Sequence, residues 1–470
     1  MLLIAVTGPP GAGKTTLLAT LVEWSRAQGQ PVDGFLSRAS GRGNPHVGAD
    51  RYDLEWVADG RVTPFARRTP TGIPSYEFDD DALAEAEAWA RALRGAPAPA
   101  LVVLDEFGQL EAGGGGHMGL WPDLAAAEPD VAVVSVRAGL VGAIAERLGR
   151  DFDVIVDAES PGAWETLRAA CREHRDWLRV GGWGAGAGGI EVGLGSALHG
   201  VRVPGRGLIL SSLQTAVMVA AGAGLGRRRR VVWVPFIAAG LKAVSPAGNR
   251  LRPMLAITVQ GLFFGGAATV LGWNALGVAV GGWCVGAWAG AQGAVLQYLL
   301  VGEHLLRAYD SVTGWLTAHW DVSTPGIWTA ISVWVVVWGL VTMSVGQYVY
   351  RRRALPRRFR ELMERRMEGL GDGQPVSRRR AVQLGLRDLA RPVFWAPLLV
   401  IAAIVLAAGA PWGDVFWMAA RATTVGFVIF SLARGFDPRR FVAWLRRRGQ
   451  WGPAVAMDRA LRRHTRGRED

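Results

Sequence analysis

A chain of 470 residues, half of them hydrophobic, with a formal net charge of +12, is too long for one ordinary soluble core, so two or more domains are expected. The charge does not point to nucleic acid: the arginines gather beside long apolar runs rather than among aromatic platforms, a pattern that suits a membrane with its basic side inside the cell. Two cysteines, Cys171 and Cys284, exclude a disulfide framework or a cysteine-rich metal site.

In chain order, Leu2-Leu3-Ile4-Ala5-Val6 is a short apolar run suited to a buried parallel strand. It lacks the basic start of a signal peptide and ends at once in a glycine-rich loop. That loop, Gly8-Pro9-Pro10-Gly11-Ala12-Gly13-Lys14-Thr15-Thr16, fills every fixed position of G-x-x-x-x-G-K-[ST] and precedes a helical pattern from Thr16 to Gln28. Strand, glycine turn and helix together form a phosphate cradle. The glycines let backbone amides turn inward, and Gly8, Gly11, Ala12, Gly13, Lys14, Thr15 and Thr16 are the expected nucleotide contacts. Lys14 would reach the β- and γ-phosphates, Thr15 would hold Mg²⁺, and the helix dipole adds to the anion site.

A second strand is expected at Pro31 to Arg38 and an alternating one at Tyr52 to Val57, ahead of a turn at Asp59-Gly60. Asp79 to Arg94 reads as a helix with acidic residues at its start. Ala100 to Leu104 is an apolar strand that delivers Asp105 and Glu106 at its carboxyl end, the edge where ligands sit in parallel α/β sheets. Asp105 is the expected acceptor from the Mg²⁺ shell. Glu106 is the expected catalytic partner of Lys14, orienting or deprotonating the attacking water. Val131 to Val136 is another buried strand; Arg137 at its end faces the phosphates or pairs with a surface acid. Phe152 to Asp157 is a last short strand and Trp164 to Trp177 a closing helix. The fold class expected for residues 1–178 is thus an α/β P-loop domain, a parallel sheet flanked by helices.

Four segments in this order, Gly8 to Thr16, Val32 to Arg38, Leu104 to Glu111 and Val134 to Arg137, resemble the small thermophile-type P-loop nucleoside-triphosphatases. The resemblance implies a P-loop α/β sandwich that slowly hydrolyses several nucleoside triphosphates with little base preference. It makes Gly13, Lys14 and Thr15 the phosphate and metal contacts and Asp105 and Glu106 the Walker B pair. The chain departs from that family at Gln109, where a lysine is common, and at His46-Val47-Gly48-Ala49, where the family has a basic Arg-x-Gly-Phe stretch.

Gly181 to Gly189 reads as a flexible linker within residues 179–205. Beyond it, apolar runs cover Leu208–Leu225, Val231–Val244, Met254–Trp273, Leu276–Val301, Ile327–Tyr350, Val393–Ala410 and Trp412–Leu432, most near the length that crosses a bilayer. Arginine clusters at 227–230, 351–366, 378–391 and 439–466 go together on the cytoplasmic side. Seven crossings would break that arrangement. Six are therefore expected in an all-α polytopic membrane domain at 206–436, with Leu208–Leu225 either not crossing or paired with Val231–Val244 as a re-entrant unit. Residues 437–470 read as a basic cytoplasmic tail. Lys242, Asn249 and Gln260, beside the Ser245-Pro246-Ala247-Gly248 break, are candidate solute contacts; a snorkelling lysine and an ordinary turn explain the same residues. Gly281, Gly282, Gly286 and Gly290 would let helices approach closely.

The span count, Lys242 to Gly248 and the Gln260-Gly261 pair are similar to the substrate-binding subunits of energy-coupling-factor vitamin transporters. This implies a small-molecule solute as ligand and a transmembrane coupling protein as partner. The leading reading is an inner (plasma) membrane nucleoside-triphosphatase, its catalytic domain cytoplasmic and its helical half an anchor in the lipid bilayer. The alternatives are a solute-uptake component driven or regulated by the nucleotide site, and a nucleotide-operated switch with negligible turnover. A Leu-Ser-Gly-Gly-Gln-type signature is absent, which speaks against ABC-style coupling.

Overall fold

The structure, a computed structural model, describes residues 1–41, 49–69, 76–200, 205–244, 251–320, 325–357, 359, 361 and 378–466. The chain divides into two compact units, Met1–Arg175 and Asp176–Asp470.

The first unit is built on one eight-stranded sheet: β1 (Leu2–Gly8), β2 (Val32–Ser40), β3 (Arg51–Trp56), β4 (Val62–Arg68), β5 (Tyr76–Phe78), β6 (Leu101–Phe107), β7 (Val131–Arg137) and β8 (Val154–Asp157). Its order is β5-β4-β3-β2-β6-β7-β1-β8. The five strands from β2 to β8 in that order run parallel, whereas β3, β4 and β5 add an antiparallel meander to β2. The all-parallel sheet expected from the apolar runs is therefore mixed. β4 and β5, short and rich in polar residues, carry too little apolar pattern to announce themselves.

Both faces of the parallel part are covered, which is why its strands are nearly continuous in apolar residues. Leu3, Ala5, Val102, Leu104, Phe107, Ala132 and Val134 pack on one face against α2 (Asp80–Leu93), α3 (Gln109–Ala112), α4 (Trp121–Ala127) and α5 (Val141–Leu148). Ile4, Val6, Val103, Val131 and Val133 pack on the other against α1 (Lys14–Ala27) and the start of α6 (Ala163–Gly200). Helix α2 begins where the acidic run predicts, because the Asp79 carboxylate accepts from the amides of Asp81 and Ala82. Cys171 lies buried in this second core layer, and burial pushes its thiol up to about 12.

The glycine-rich stretch 181–189 is not a linker. It lies within α6, where its missing side chains admit neighbouring helices: a Cβ at Gly184 would meet Ile237, and one at Gly188 would meet Leu241. Close packing outweighs the poor helix propensity of glycine here.

The second unit is helical. After α6 come α7 (Arg206–Ala223), α8 (Trp233–Val244), α9 (Leu251–Val270), α10 (Ala275–Val301), α11 (His304–Trp320) and α12 (Ile327–Arg352). Helices at Arg378–Leu389, Pro392–Ala407, Trp412–Gly435, Pro438–Arg447 and Trp451–Arg466 follow. Among the described residues five helices are long and apolar enough to cross a membrane, in α7, α9, α10, α12 and Trp412–Ser431; Phe394–Ala407 is apolar but shorter. Helices α10 and α12 approach closely: Gly282, Gly286 and Gly290 face α12, and the Thr342 hydroxyl donates to the Gly282 carbonyl at 2.8 Å. Residues 437–466 are not a loose tail, because Val442, Leu445, Ala454, Met457 and Ala460 are buried in the core shared by α6, α7 and α8.

Candidate active site

The parallel register places the sequence-predicted groups along one carboxyl edge of the sheet. Gly8 at the end of β1 pairs with Arg137 at the end of β7, and β7 separates β1 from β6, the strand of Asp105 and Glu106. Gly8, Gly11 and Gly13 all have positive φ, and Gly13 is the left-handed N-cap of α1. No side chain caps the first turn of α1, so its amides point into the loop unfilled by protein carboxylates or hydroxyls. Lys14 is folded over the loop, its ammonium donating to the carbonyls of Gly8 at 2.9 Å and Pro9 at 3.0 Å. Thr15 is partly exposed, while Thr16 and Arg137 are exposed at the same edge. Ala12 closes the turn, its amide donating to Pro9.

Asp105 is completely buried, and its environment explains how a carboxylate is tolerated there. One oxygen accepts from the Ser37 amide at 3.1 Å; the other accepts from the Ser135 hydroxyl and from the Glu106 amide at 3.0 Å. Ser135 also accepts from the Glu106 amide at 2.8 Å. Between Leu104, opposite Val134, and Phe107, opposite Val136, two residues of β6 face the single Ser135. This is a β-bulge, and it holds Glu106 at φ 67, a left-handed conformation that a residue with a side chain adopts at a penalty. The bulge turns Glu106 into partial exposure at the edge while Asp105 stays in the row of Val103, on the α1 side of the sheet.

Ser37 and Ser135 were not singled out from the sequence. A lone hydroxyl inside the apolar strand Val131 to Val136 is the available signal, because a buried hydroxyl needs a partner. The Ser37 hydroxyl itself is buried without a partner among the described residues, as is that of Thr7. Thr15 Oγ1 and the Asp105 and Glu106 carboxylates are hard oxygen donors of the kind that suit Mg²⁺ and its bound water. Among the described residues no group of three His, Cys, Asp or Glu side chains forms an all-protein metal cage. Mg²⁺ sites completed by substrate phosphates do not need one.

Beyond the bulge, Glu111 is buried and accepts from the amides of Gly108 at 2.8 Å and His117 at 3.2 Å; burial raises its carboxyl above the usual range. His117 is enclosed by Phe35, Phe65 and Phe107, neither ring nitrogen has a partner among the described residues, and burial lowers it to about 3.

The solute contacts expected in the helical unit are distributed differently. Lys242 is 4% exposed and gives its ammonium to the carbonyl of Glu191 at 2.9 Å, so it does not snorkel to a surface. Gln260 donates to the Ser211 hydroxyl at 2.9 Å. Asn249 and His46 to Gly48 lie outside the described residues. A cavity lined by Glu191, Gln214 and aliphatic residues of α6 to α9 has room for one or two water molecules.

A family model described as "NTPase" matches residues 3–114. The chain is similar to the cancer-related nucleoside-triphosphatase homolog of Bos taurus, 30% identical over 115 residues, which cover 23% of this chain and 60% of that protein. It is similar to the Homo sapiens cancer-related nucleoside-triphosphatase, 32% identical over 119 residues with the same coverage. A solution structure of a human cancer-related nucleoside triphosphatase aligns at 21% identity and TM-score 0.29, covering 36% of this chain and 95% of that one. The chain spans about 60% of the length of these curated relatives, and the matched stretch holds the phosphate loop and the Asp105–Glu106 bulge.

Proposed function

We propose that the first unit binds and hydrolyses nucleoside triphosphates of the ATP and GTP type. The observation that carries this reading is the pairing of an uncapped, left-handed phosphate loop with the Asp105–Glu106 bulge at one sheet edge, a single strand apart. The loop amides and the amino end of α1 bind the β- and γ-phosphates. Lys14 leaves the Gly8 and Pro9 carbonyls for phosphate oxygens, and Arg137 adds positive charge at the adjacent strand end. Thr15 and Asp105 would hold Mg²⁺, which would supply neutralisation of the phosphate charge. Glu106 takes the proton of a water as its oxygen attacks the γ-phosphorus; the bond to the β–γ bridging oxygen breaks, leaving the nucleoside diphosphate and inorganic phosphate. The test is phosphate release from ATP and GTP by the purified full chain, with a chelated control; release no greater than the control overturns the reading.

The second unit is read as membrane-embedded, multi-pass in the cell's inner membrane with the first unit on the cytoplasmic face. The support is the set of five long apolar helices and their exposed large side chains, among them Trp334, Val337, Phe416 and Trp417. Carbonate-resistant recovery in the membrane fraction is the expected result. Solute uptake with a coupling protein is the second reading, resting on the buried Lys242–Glu191 and Gln260–Ser211 pairs. The adjoining cavity would have to open to take anything larger than water, so the anchor reading is preferred.

A further inference from the structure

Residues 437–466 hold nine arginines against two aspartates. The two helices they form, Pro438–Arg447 and Trp451–Arg466, bury one face in the helical core through Val442, Leu445, Ala454 and Met457. The opposite face is cationic and aromatic. Asp437 and Asp458 are occupied by Arg440, Arg446 and Arg462. Arg439, Arg447 and Arg448 are exposed and have no carboxylate partner among the described residues. Trp444 and Trp451 are 44% and 59% exposed on the same two-helix unit, and the Arg448 guanidinium lies over the Trp444 ring at 5.6 Å.

Trp177 links this unit to a second arginine run. It lies against Gly452 in the first turn of the second helix and beneath the Arg230 guanidinium at 4.8 Å. Arg230 is buried and ion-paired with Asp176 at 3.3 Å, while Arg227, Arg228 and Arg229 are exposed beside it. Two runs some two hundred positions apart in the chain thus meet around one tryptophan.

We propose that this two-helix plate is a docking surface for the phosphate headgroups of an anionic lipid leaflet. It rests on the membrane reading of the second unit and adds a leaflet and a lipid class to it. Charge complementarity argues for the occupant: carboxylate-free arginines seek phosphate oxygens, and half-exposed tryptophans suit the depth of the headgroups. Adjacent helices apolar enough to cross a bilayer favour a lipid surface over a soluble polyanion.

The test is thermal unfolding of the full chain in neutral detergent, titrated with phosphatidylglycerol or phosphatidylcholine. Phosphatidylglycerol is expected to raise the melting temperature well above the phosphatidylcholine effect. The Arg439→Gln/Arg447→Gln/Arg448→Gln variant is expected to need at least about tenfold more phosphatidylglycerol for the same rise. The corresponding triple Lys variant keeps the charge and should titrate close to wild type, separating lost binding from lost folding. Equal effects of the two lipids, a Gln variant that titrates like wild type, or full replacement of the lipid effect by soluble polyphosphate would each overturn the proposal. Recovery of the chain from the soluble fraction without detergent would instead bring down the membrane reading, and this proposal with it.

Discussion

Glycine does opposite things in the two units. In the α/β unit Gly11 and Gly13 sit at positive φ with open space where a side chain would be, so they are there for the backbone conformation and not for packing. In the helical unit Gly184, Gly188, Gly282 and Gly286 lie inside regular helices with a neighbouring helix occupying the place of a Cβ. One set shapes a site, and the other is core. A glycine-rich stretch is therefore informative only with its surroundings: Gly8 to Gly13 follows a strand and precedes a helix, whereas Gly181 to Gly189 is itself helix.

Substitutions sharpen that contrast. The largest effect is expected within the phosphate loop: Lys14→Ala should reduce turnover about a thousandfold, the scale of losing a charged transition-state contact, while leaving the melting temperature nearly unchanged. Activity near wild type would remove the loop from catalysis. Glu106→Gln should lower kcat about a hundredfold and keep triphosphate bound, read by equilibrium binding beside phosphate release. In the helical unit the pattern reverses. Gly286→Val, driven into the Trp338 backbone, should destabilise by about 3 kcal/mol by thermal unfolding in detergent and spare the nucleotide site. Gly11→Ala, with nothing within 4 Å, should cost only about 1 kcal/mol in backbone strain yet weaken nucleotide binding. If Gly11→Ala unfolds the protein and Gly286→Val does not, the contrast is wrong.

Two smaller effects probe the support of the site. Ser135→Ala strips Asp105 and the Glu106 amide of a shared partner, and should cost about 1–3 kcal/mol locally with a kcat loss of about tenfold. His117 gives a pH signature. Its folded-state value of about 3 lies below the ordinary 6.5, so the unfolded chain binds the extra proton between them. Stability from this residue is complete above pH 6.5 and falls by about 1.4 kcal/mol per unit as pH drops towards 3. Hydrogen exchange of the β6 and β7 amides should show that slope, and His117→Phe should remove it.

Much of the site was legible because its chemistry is local. The phosphate loop occupies nine consecutive residues, and the apolar run ahead of Asp105 announces a buried strand ending in carboxylates. The supports were not, because they come from elsewhere in the chain: Ser37 and Ser135 reach Asp105 across separations of 68 and 30 positions. The bulge is a property of register between β6 and β7, which no single strand displays. The later half of helix α6 hid behind glycine composition, since its stability lies in packing against Ile237 and Leu241 rather than in propensity. The last two helices were masked by their arginines, although Val442 and Leu445, then Ala454, Met457 and Ala460, keep a helical spacing.

The bulge also bears on how such a site is lost or gained. Val102, Leu104 and Phe107 share one face of the sheet, so β6 counts an odd step between Leu104 and Phe107 where a regular strand counts an even one. Deleting the single codon for Glu106 restores the even step and leaves Phe107 among the same core neighbours. The sheet would survive with its phosphate loop intact and without the carboxylate proposed to meet the attacking water. Under the proposed function, an inert nucleotide binder and a hydrolase are neighbours in mutational space, one in-frame deletion apart.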